Sequence, residues 1–399
     1  MTGSDAAPPA GDRPRPAGLT LETWDRPPLN RWSYQHVDEI LPTAPVRRGV
    51  PAPLTEAPAQ LDVRAFAFPD RHGRRLIAGE VLDTSWTDGF LALHRGRIVC
   101  EHYANGMRAA TPHLTQSLSK SVLAALAGIL HHAGAFPLER TVAAYVPAFR
   151  DSAYADASMR HLLDMTSGVD FPEDATDPVS GVGLMDIAVG WKAVPAGNPS
   201  PRSVHALIAS LRGRSRPHGA RFEYRSMETE VLGCCIKAAT GARLADLVSS
   251  LLWQPMGAEH DASFAVDPEG FAVADGGLSA TLRDLGRFGL LYARDGAAAG
   301  RTVVPEAWVR DTRIGDPALF GGAYAEGRRR GAYRSQFWID DIEGSVITGL
   351  GVFGQMIHID WQRDFVGVKL STWPQARDVA RRVEACDMMA AMARALAGG

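Results

Sequence analysis

The sequence predicts an α/β fold with an all-α insertion, and this prediction is based on the order of the strands and helices. A strand pair with a tight turn occupies residues 90–103, a long run of helical segments follows, and three strand-like segments with a final helix stand near the carboxyl end. This order indicates that the first strand pair joins the late strands in one sheet. We therefore expect an α/β sheet domain made of residues 19–110 and 268–399, with a mainly helical domain, residues 111–267, inserted between its halves.

Local patterns predict the individual strands and helices. Residues 90–94 and 97–103 are apolar segments joined by Arg95-Gly96, as in a hairpin, and residues 333–339, 356–360 and 365–372 have the same strand-like character. Helical periodicity, with Gly134 and Gly241 as stop signals, predicts helices at residues 116–132, 141–145, 159–165, 202–211, 227–240, 244–252, 281–293, 306–312 and 376–397. The Gly- and Asp-rich stretch 169–183 is expected to be a loop.

The composition is that of an ordinary globular chain. Of 399 residues, 46% are apolar and 22% charged, and a net charge of −3 provides neither a basic surface for nucleic acid nor a polybasic patch for a membrane. No apolar run approaches the roughly 20 residues of a membrane span. Residues 1–18, rich in Ala, Pro, Gly and Asp, are expected to form a disordered tail. These features indicate a small-molecule or peptide-sized partner.

Cysteine usage bears on the cellular compartment. The four cysteines contain no Cys-x-x-Cys pair, which favours reduced thiols in a cytoplasmic protein. The sequence leaves the oligomeric state open, a homodimer included.

The first chemical motif is Ser117-x-x-Lys120, at the start of the helix predicted for residues 116–132. Residues three apart on a helix lie on one face, so the lysine amine is within reach of the serine hydroxyl. An amine kept neutral by burial can accept the hydroxyl proton, and the helix N-terminus favours the resulting alkoxide. A tetrapeptide of this kind also arises by chance, with the serine as a helix cap and the lysine in solvent, so further residues have to decide.

Two further segments supply those residues. Tyr224-x-Ser226 stands at the start of another predicted helix, and a phenol beside a lysine can pass protons to a leaving group. The glycine-rich segment 349–355 leads into the predicted strand 356–360. Glycines allow a substrate to approach the backbone closely, so an N–H group here and that of Ser117 could form an oxyanion hole. Taken singly, these segments are also typical of a buried tyrosine beside a helix cap and of a glycine-rich hairpin.

The three motifs, in this order and at these separations, resemble those of serine β-lactamase-like hydrolases. The segments 159–168, 276–285 and 305–308 are also similar to that family, and the segments 31–36 and 39–44 resemble its 6-aminohexanoate-dimer hydrolase branch. The resemblance extends from about residue 30 to the carboxyl end. It implies a β-lactamase-like fold, in which a mainly antiparallel sheet is flanked by helices and a helical domain is inserted, with the site between the two and no metal or cofactor.

The resemblance also implies a role for each motif residue. Ser117 is then the acylated nucleophile, Lys120 its general base and Tyr224 the proton shuttle, with Ser226 supporting Lys120. The backbone N–H groups of Ser117 and Gln355 are the implied oxyanion donors. Further residues are expected to line the substrate pocket, namely Phe171, Glu173, Trp338, Phe353 and Gly354.

Two departures from the family narrow the expected substrate. The third motif reads Val352-Phe353-Gly354, without the cation and hydroxyl that engage a substrate carboxylate in penicillin-recognising members. The nylon-oligomer hydrolases carry a Glu-x-Tyr element whose tyrosine assists amide cleavage, whereas this chain reads Glu173-Asp174-Ala175 and has no tyrosine there. We therefore expect short-chain esters as the first substrate class and small linear amides as the second.

Other functional classes fit less well or stay open. The segment 277–281 fails the Gly-x-Ser-x-Gly elbow of α/β-hydrolases at its last position, and the chain has no His-Glu-x-x-His zinc motif. An acyl-binding sensor with little turnover and a biosynthetic acyltransferase remain as alternatives. A sensor would give one stoichiometric burst with an activated ester, and an acyltransferase would give aminolysis or alcoholysis products.

Overall fold

The computed structural model describes residues 14–174, 177, 179–195, 197 and 201–398. Residues 1–13 of the predicted disordered tail lie outside this description. Sixteen strands are found in the described ranges: β1 (Thr43–Val46), β2 (Thr55–Glu56), β3 (Ala67–Pro69), β4 (Arg75–Ile77), β5 (Thr87–His94), β6 (Arg97–Tyr103), β7 (His113–Leu114), β8 (Ala262–Ala265), β9 (Leu278–Ala280), β10 (Ala297–Ala298), β11 (Arg301–Thr302), β12 (Ala332–Arg334), β13 (Phe337–Ile339), β14 (Val346–Gly351), β15 (Gln355–Asp360) and β16 (Phe365–Ser371).

The same ranges contain twelve α-helices: α1 (Asn30–Ser33), α2 (Ala78–Thr84), α3 (Ser119–His132), α4 (Val142–Tyr145), α5 (Met159–Leu163), α6 (Gly181–Ala188), α7 (Val204–Ser210), α8 (Ser226–Thr240), α9 (Leu244–Val248), α10 (Leu282–Ala293), α11 (Glu306–Thr312) and α12 (Val379–Ala397). A π-helical turn, Ser249–Trp253, extends α9. Side chains cap several N-termini, as where Thr281 accepts the Asp284 N–H at the start of α10.

The main sheet has eight strands in the order β12-β13-β14-β15-β16-β5-β6-β2. Neighbouring strands are antiparallel except for the β2–β6 pair. The predicted pairing of the first hairpin with a late strand is confirmed, because β5 pairs with β16 over the whole of its length. The antiparallel sheet flanked by helices confirms the predicted fold class.

Alternating side chains on the central strands form two apolar layers. Leu91 and Leu93 of β5 belong to the large core shared with α3, α8 and α10, whereas Phe90 and Ala92 belong to a second core under α12. This division follows from the two-residue period of a strand. On α10, a Cβ atom at Gly289 would lie 2.5 Å from Val366, so glycine is required for this helix to pack so closely on β16.

A smaller antiparallel sheet, in the order β1-β8-β9-β7, brings distant parts of the site together. Its strands β7 and β9 pair through His113 with Ala280 and Leu114 with Ser279. Because β7 leads directly into Ser117 and β9 follows the loop that carries Asp275, this pairing places the two loops side by side. The sequence prediction contained no strand at β7, β8 or β9.

The predicted division into a sheet domain and an inserted helical domain stays a prediction. Residues 111–267 contain α3 to α9, but also β7 and β8 of the smaller sheet. Within the described ranges, no helix is both long and apolar enough to cross a bilayer.

Candidate active site

The nucleophile segment is a strained turn that leads into a buried helix. Gln116 has a φ of 51°, in the left-handed region, and starts a 3-10 turn, Gln116–Leu118, which continues into α3. The Gln116 side chain donates to the Tyr34 hydroxyl at 2.8 Å, which holds this conformation. Ser117 is the second residue of the turn, where a backbone N–H has no acceptor within the helix. The turn therefore presents both the hydroxyl and the N–H of Ser117.

Lys120 contacts Ser117 as the motif predicts, but its pKa is raised instead of lowered. Lys120 Nζ donates to Ser117 Oγ at 2.8 Å, to the Asp275 main-chain oxygen at 2.9 Å and to Asp275 Oδ2 at 3.1 Å. Burial has the largest single effect and lowers the pKa of Lys120, but Asp275, Tyr224 and Glu173 together outweigh it and raise this pKa above its ordinary value. The expectation of a neutral lysine is therefore wrong, because the sequence motif does not reveal the carboxylate that faces it.

Asp275 is held in place by a second buried acid. Its backbone N–H donates to Glu230 Oε1 on α8 at 2.8 Å. Burial, and after it the Asp275 charge, raises the pKa of Glu230 well above its ordinary value. Sequence reasoning missed both residues, although Asp275 stands directly before the family-like segment 276–285.

Tyr224 reaches the same amine from the segment before α8. Lys120 Nζ lies 5.3 Å from the centre of the Tyr224 ring. The ring also stacks on Trp338, with ring centres 5.4 Å apart and an interplanar angle of 18°. The Tyr324 hydroxyl accepts the Tyr224 backbone N–H at 3.3 Å. The tyrosine is thus fixed between the lysine and an aromatic wall.

Ser226 has a different partner from the one expected. Its backbone N–H and its hydroxyl both donate to the Glu173 carboxyl, which therefore caps the N-terminus of α8. Burial raises the pKa of Glu173, while the nearby Lys120 charge opposes that rise. Ser226 thus bonds Glu173, whose charge in turn acts on Lys120, and its predicted support of the lysine stays a prediction.

A cavity of about 880 Å³ opens above Ser117 and reaches the third motif. Phe353 has a φ of 61° and Gly354 a φ of 94°, and a Cβ atom on Gly354 would lie 2.3 Å from the Trp373 ring. Gln355 closes the β14–β15 hairpin opposite Gly351, and its side chain bonds the Ser371 backbone. Most of the predicted site residues line the cavity, namely Ser117, Glu173, Tyr224, Ser226, Trp338, Phe353, Gly354 and Gln355.

Phe171 does not line this cavity. It is 4% exposed and packs in the core beside Gly181 at the start of α6, so its prediction as a pocket residue is wrong. An apolar residue near a motif is more often core than pocket, and its neighbours alone do not tell which.

Sequence reasoning also missed a carboxylate in the cavity wall. Asp186, on α6, lines the cavity, and burial together with the nearby Asp25 charge raises its pKa to about 7. Its helix lies partly in the stretch that was expected to be a loop. In the described ranges, no group of three or more His, Cys, Asp or Glu side chains could hold a metal ion.

Comparisons with known proteins identify the family of the chain. The model of the β-lactamase family matches residues 87–385. The chain belongs to the β-lactamase family. A 6-aminohexanoate-dimer hydrolase from Paenarthrobacter ureafaciens is 34% identical over 357 residues, which are 89% of this chain and 88% of that protein. Membership of the β-lactamase family, together with this relative, identifies the chain as a serine hydrolase.

Solved structures show the same β-lactamase-like fold. A protein from Bacillus anthracis, named provisionally as a 6-aminohexanoate-dimer hydrolase, has a TM-score of 0.88 at 26% identity and matches 96% of this chain and 98% of its own. EstCE1, described as a hydrolase with promiscuous acyltransferase activity, has a TM-score of 0.63 at 16% identity over 78% of this chain and 95% of its own. At that identity the second likeness shows the fold alone.

Proposed function

We propose that this β-lactamase-family hydrolase cleaves small ester bonds, and small linear amide bonds as a second class, through an acyl-enzyme on Ser117. The observation that carries the proposal is the 2.8 Å contact between Lys120 Nζ and Ser117 Oγ at the wall of the large cavity. A serine hydroxyl needs an adjacent base to become a nucleophile at neutral pH. Lys120 is the amine within hydrogen-bond distance of that hydroxyl.

The proposed reaction has two halves that use the same residues. In the first, Ser117 Oγ attacks the substrate carbonyl carbon, Lys120 takes the hydroxyl proton, and Tyr224 delivers a proton to the departing oxygen or nitrogen. In the second, water attacks the acyl-enzyme, its proton passes to the same basic groups, and Ser117 regains its hydrogen. The backbone N–H groups of Ser117 and Gln355 are the proposed donors to the carbonyl oxygen as it becomes negative.

The surroundings of the cavity support a choice of substrate. The third motif has no cation or hydroxyl for a penicillin-like carboxylate, and a linear amide is what the name of the 34% identical relative specifies. Asp186 adds a buried carboxylate whose charged form an amine on the substrate would stabilise. We therefore propose neutral esters and amine-bearing linear amides over bicyclic lactams.

A substrate panel tests this proposal. It contains p-nitrophenyl esters, linear amides of 6-aminohexanoate type with and without the free amine, and a chromogenic cephalosporin, each assayed with wild type and Ser117→Ala. We expect repeated turnover of esters, slower turnover of amides with a lower KM when the amine is free, and no cephalosporin cleavage. A single stoichiometric burst would instead indicate a sensor, and transfer to added amines or alcohols an acyltransferase.

A further inference from the structure

Asp275 connects Lys120 to a second buried acid. Two of its oxygen atoms accept from Lys120 Nζ, the main-chain oxygen at 2.9 Å and Oδ2 at 3.1 Å. On the opposite side, its backbone N–H donates to Glu230 Oε1 at 2.8 Å. Asp275 is therefore the member of this pair of acids that contacts the amine directly.

The two carboxyl groups differ in what surrounds their oxygens. The Asp275 side chain is 10% exposed toward the cavity and pairs with an ammonium, whereas Glu230 is fully buried. Glu230 Oε2 has no hydrogen-bond partner in the part of the chain that the structure describes. A buried carboxylate with one oxygen unpartnered is costly, and protonation removes the buried charge. The geometry thus favours one charged and one neutral acid.

We propose that Asp275 is a positioning residue for Lys120. Its carboxylate carries the negative charge of the pair and keeps the Lys120 amine an ammonium in the resting enzyme, while Glu230 is a neutral acid that fixes the Asp275 backbone. The inference rests on the proposed role of Lys120 as base toward Ser117.

A consequence for turnover follows from the proton balance. Before Lys120 can accept the Ser117 proton, its ammonium has to release one proton to solvent, and the electron pair of the broken N–H bond stays on nitrogen. Asp275 stabilises the ammonium and so opposes this release. The value of kcat/KM therefore rises with pH, and its acid limb lies at a higher pH than it would without the Asp275 charge.

Other groups face the amine, but they do not replace Asp275. Four ionisable side chains interact with Lys120. They are Asp275 in the loop before β9, Tyr224 in the segment before α8, Glu173 in the segment before α6, and Glu230 on α8. The Asp275 charge acts in turn on Asp186 of α6, whose pKa it helps to raise. Asp275 is the strongest of the charges that favour the ammonium. Without it, burial dominates and disfavours the charged amine.

Lysine NMR tests the inference without any need for turnover. The chain has four lysines, namely Lys120, Lys192, Lys237 and Lys369, so 13C-lysine labelling gives four Cε signals. The signal that disappears in Lys120→Arg is that of Lys120. In the wild type, the Lys120 amine should remain protonated above pH about 10.4, the ordinary lysine value. In Asp275→Asn it should lose its proton below that pH, and in Glu230→Gln it should follow the wild type.

The pH profile of kcat/KM gives the catalytic readout. Asp275→Asn should move the acid limb to lower pH by about one unit or more, the effect of removing a contacting opposite charge. Glu230→Gln removes no charge if Glu230 is neutral, so its limb should stay at the wild-type position. Glu228→Gln is the matched control, because Glu228 is another buried acid of α8 but contacts Ser167 and Arg225 instead.

Several outcomes would overturn the inference. An unchanged limb in Asp275→Asn shows that Asp275 does not act, and a shift in Glu230→Gln as large as that in Asp275→Asn shows that Glu230 carries the charge. If Asp275→Asn does not fold, a wild-type Lys120 signal that titrates below pH about 10.4 is decisive against it. Hydrolysis by Ser117→Ala would refute the proposed function instead, and the lysine NMR would still decide whether Asp275 holds the ammonium.

Discussion

In the part of the chain that the structure describes, two buried lysines each donate to a serine hydroxyl, and the two pairs have opposite properties. Lys120 donates to Ser117 in the cavity wall, and Lys369 of β16 donates to Ser371 two residues later, inside the sheet. Lys120 has the Asp275 carboxylate beside it, which raises its pKa against the effect of burial. Lys369 has a serine hydroxyl and the Ser85 main-chain oxygen instead, and burial lowers its pKa to about 7.

The difference teaches that a depressed lysine pKa does not by itself mark an active site. The property expected of the catalytic lysine, a nearly neutral amine, occurs at Lys369, whose neighbour Ser371 is fully buried. The pair that can meet a substrate is the one whose serine lines the cavity. Perturbed titration is therefore a useful sign of function only together with access.

Removing each of the two serine hydroxyl groups in turn should give the largest difference in activity. Ser117→Ala removes the proposed nucleophile and should lower ester turnover by on the order of 10⁴ to 10⁶. Ser371→Ala leaves the backbone atoms that hold Gln355 in place and should retain most of the activity. Steady-state rates with a p-nitrophenyl ester measure both, and equal losses in the two variants would contradict the comparison.

Removing each of the two lysine amines in turn should give the next largest difference in activity. Lys120→Met removes the proposed base and should lower kcat/KM by on the order of 10² to 10⁴. In the part of the chain that the structure describes, no carboxylate contacts the Lys369 amine. Lys369→Met substitutes an apolar side chain of similar length and should change kcat/KM by less than about tenfold. A loss at Lys369 as large as that at Lys120 would place the sheet pair in the reaction.

The smallest expected effect concerns stability and pH. Unfolded lysine has a pKa of about 10.4, whereas burial lowers the pKa of folded Lys369 to about 7. Between these values the unfolded chain binds the additional proton, so the free energy of unfolding should rise with pH. Relative to Lys369→Met, the wild type should gain up to about 1.4 kcal/mol per pH unit from pH 7 to 10. Urea unfolding of both proteins at several pH values measures this, and a constant difference would refute it.

Much of the fold could be predicted because local patterns coincide with the elements. The hairpin predicted at residues 90–103 is β5 and β6, and the helix predicted at residues 116–132 is a 3-10 turn followed by α3. The bounds of the strand β14 were not predicted, because its end, Gly349-Leu350-Gly351, was interpreted only as a glycine-rich segment that leads into the strand at residues 356–360. The short strands β7 to β9 depend on pairing between distant segments, and their two to four residues show no period.

The site could be predicted only where the chemistry lies within a motif. Ser117 and Lys120 are three residues apart, so helical geometry brings them together, and Tyr224 followed from the family resemblance. Asp275 lies 155 residues from Lys120 along the chain, and it reaches the amine only through the pairing of β7 with β9. The charge state of Lys120 depends on that distant contact, which explains why the expected neutral lysine was wrong.

Trapping the acyl-enzyme tests the central proposal most directly. The protein is quenched in acid during turnover of a slowly deacylated p-nitrophenyl ester, and intact mass spectrometry with peptide mapping locates the acyl group. Our account predicts one acyl group per chain on Ser117 in the wild type and none in Ser117→Ala. An adduct on another residue, or turnover in the wild type with no adduct on Ser117, would contradict it.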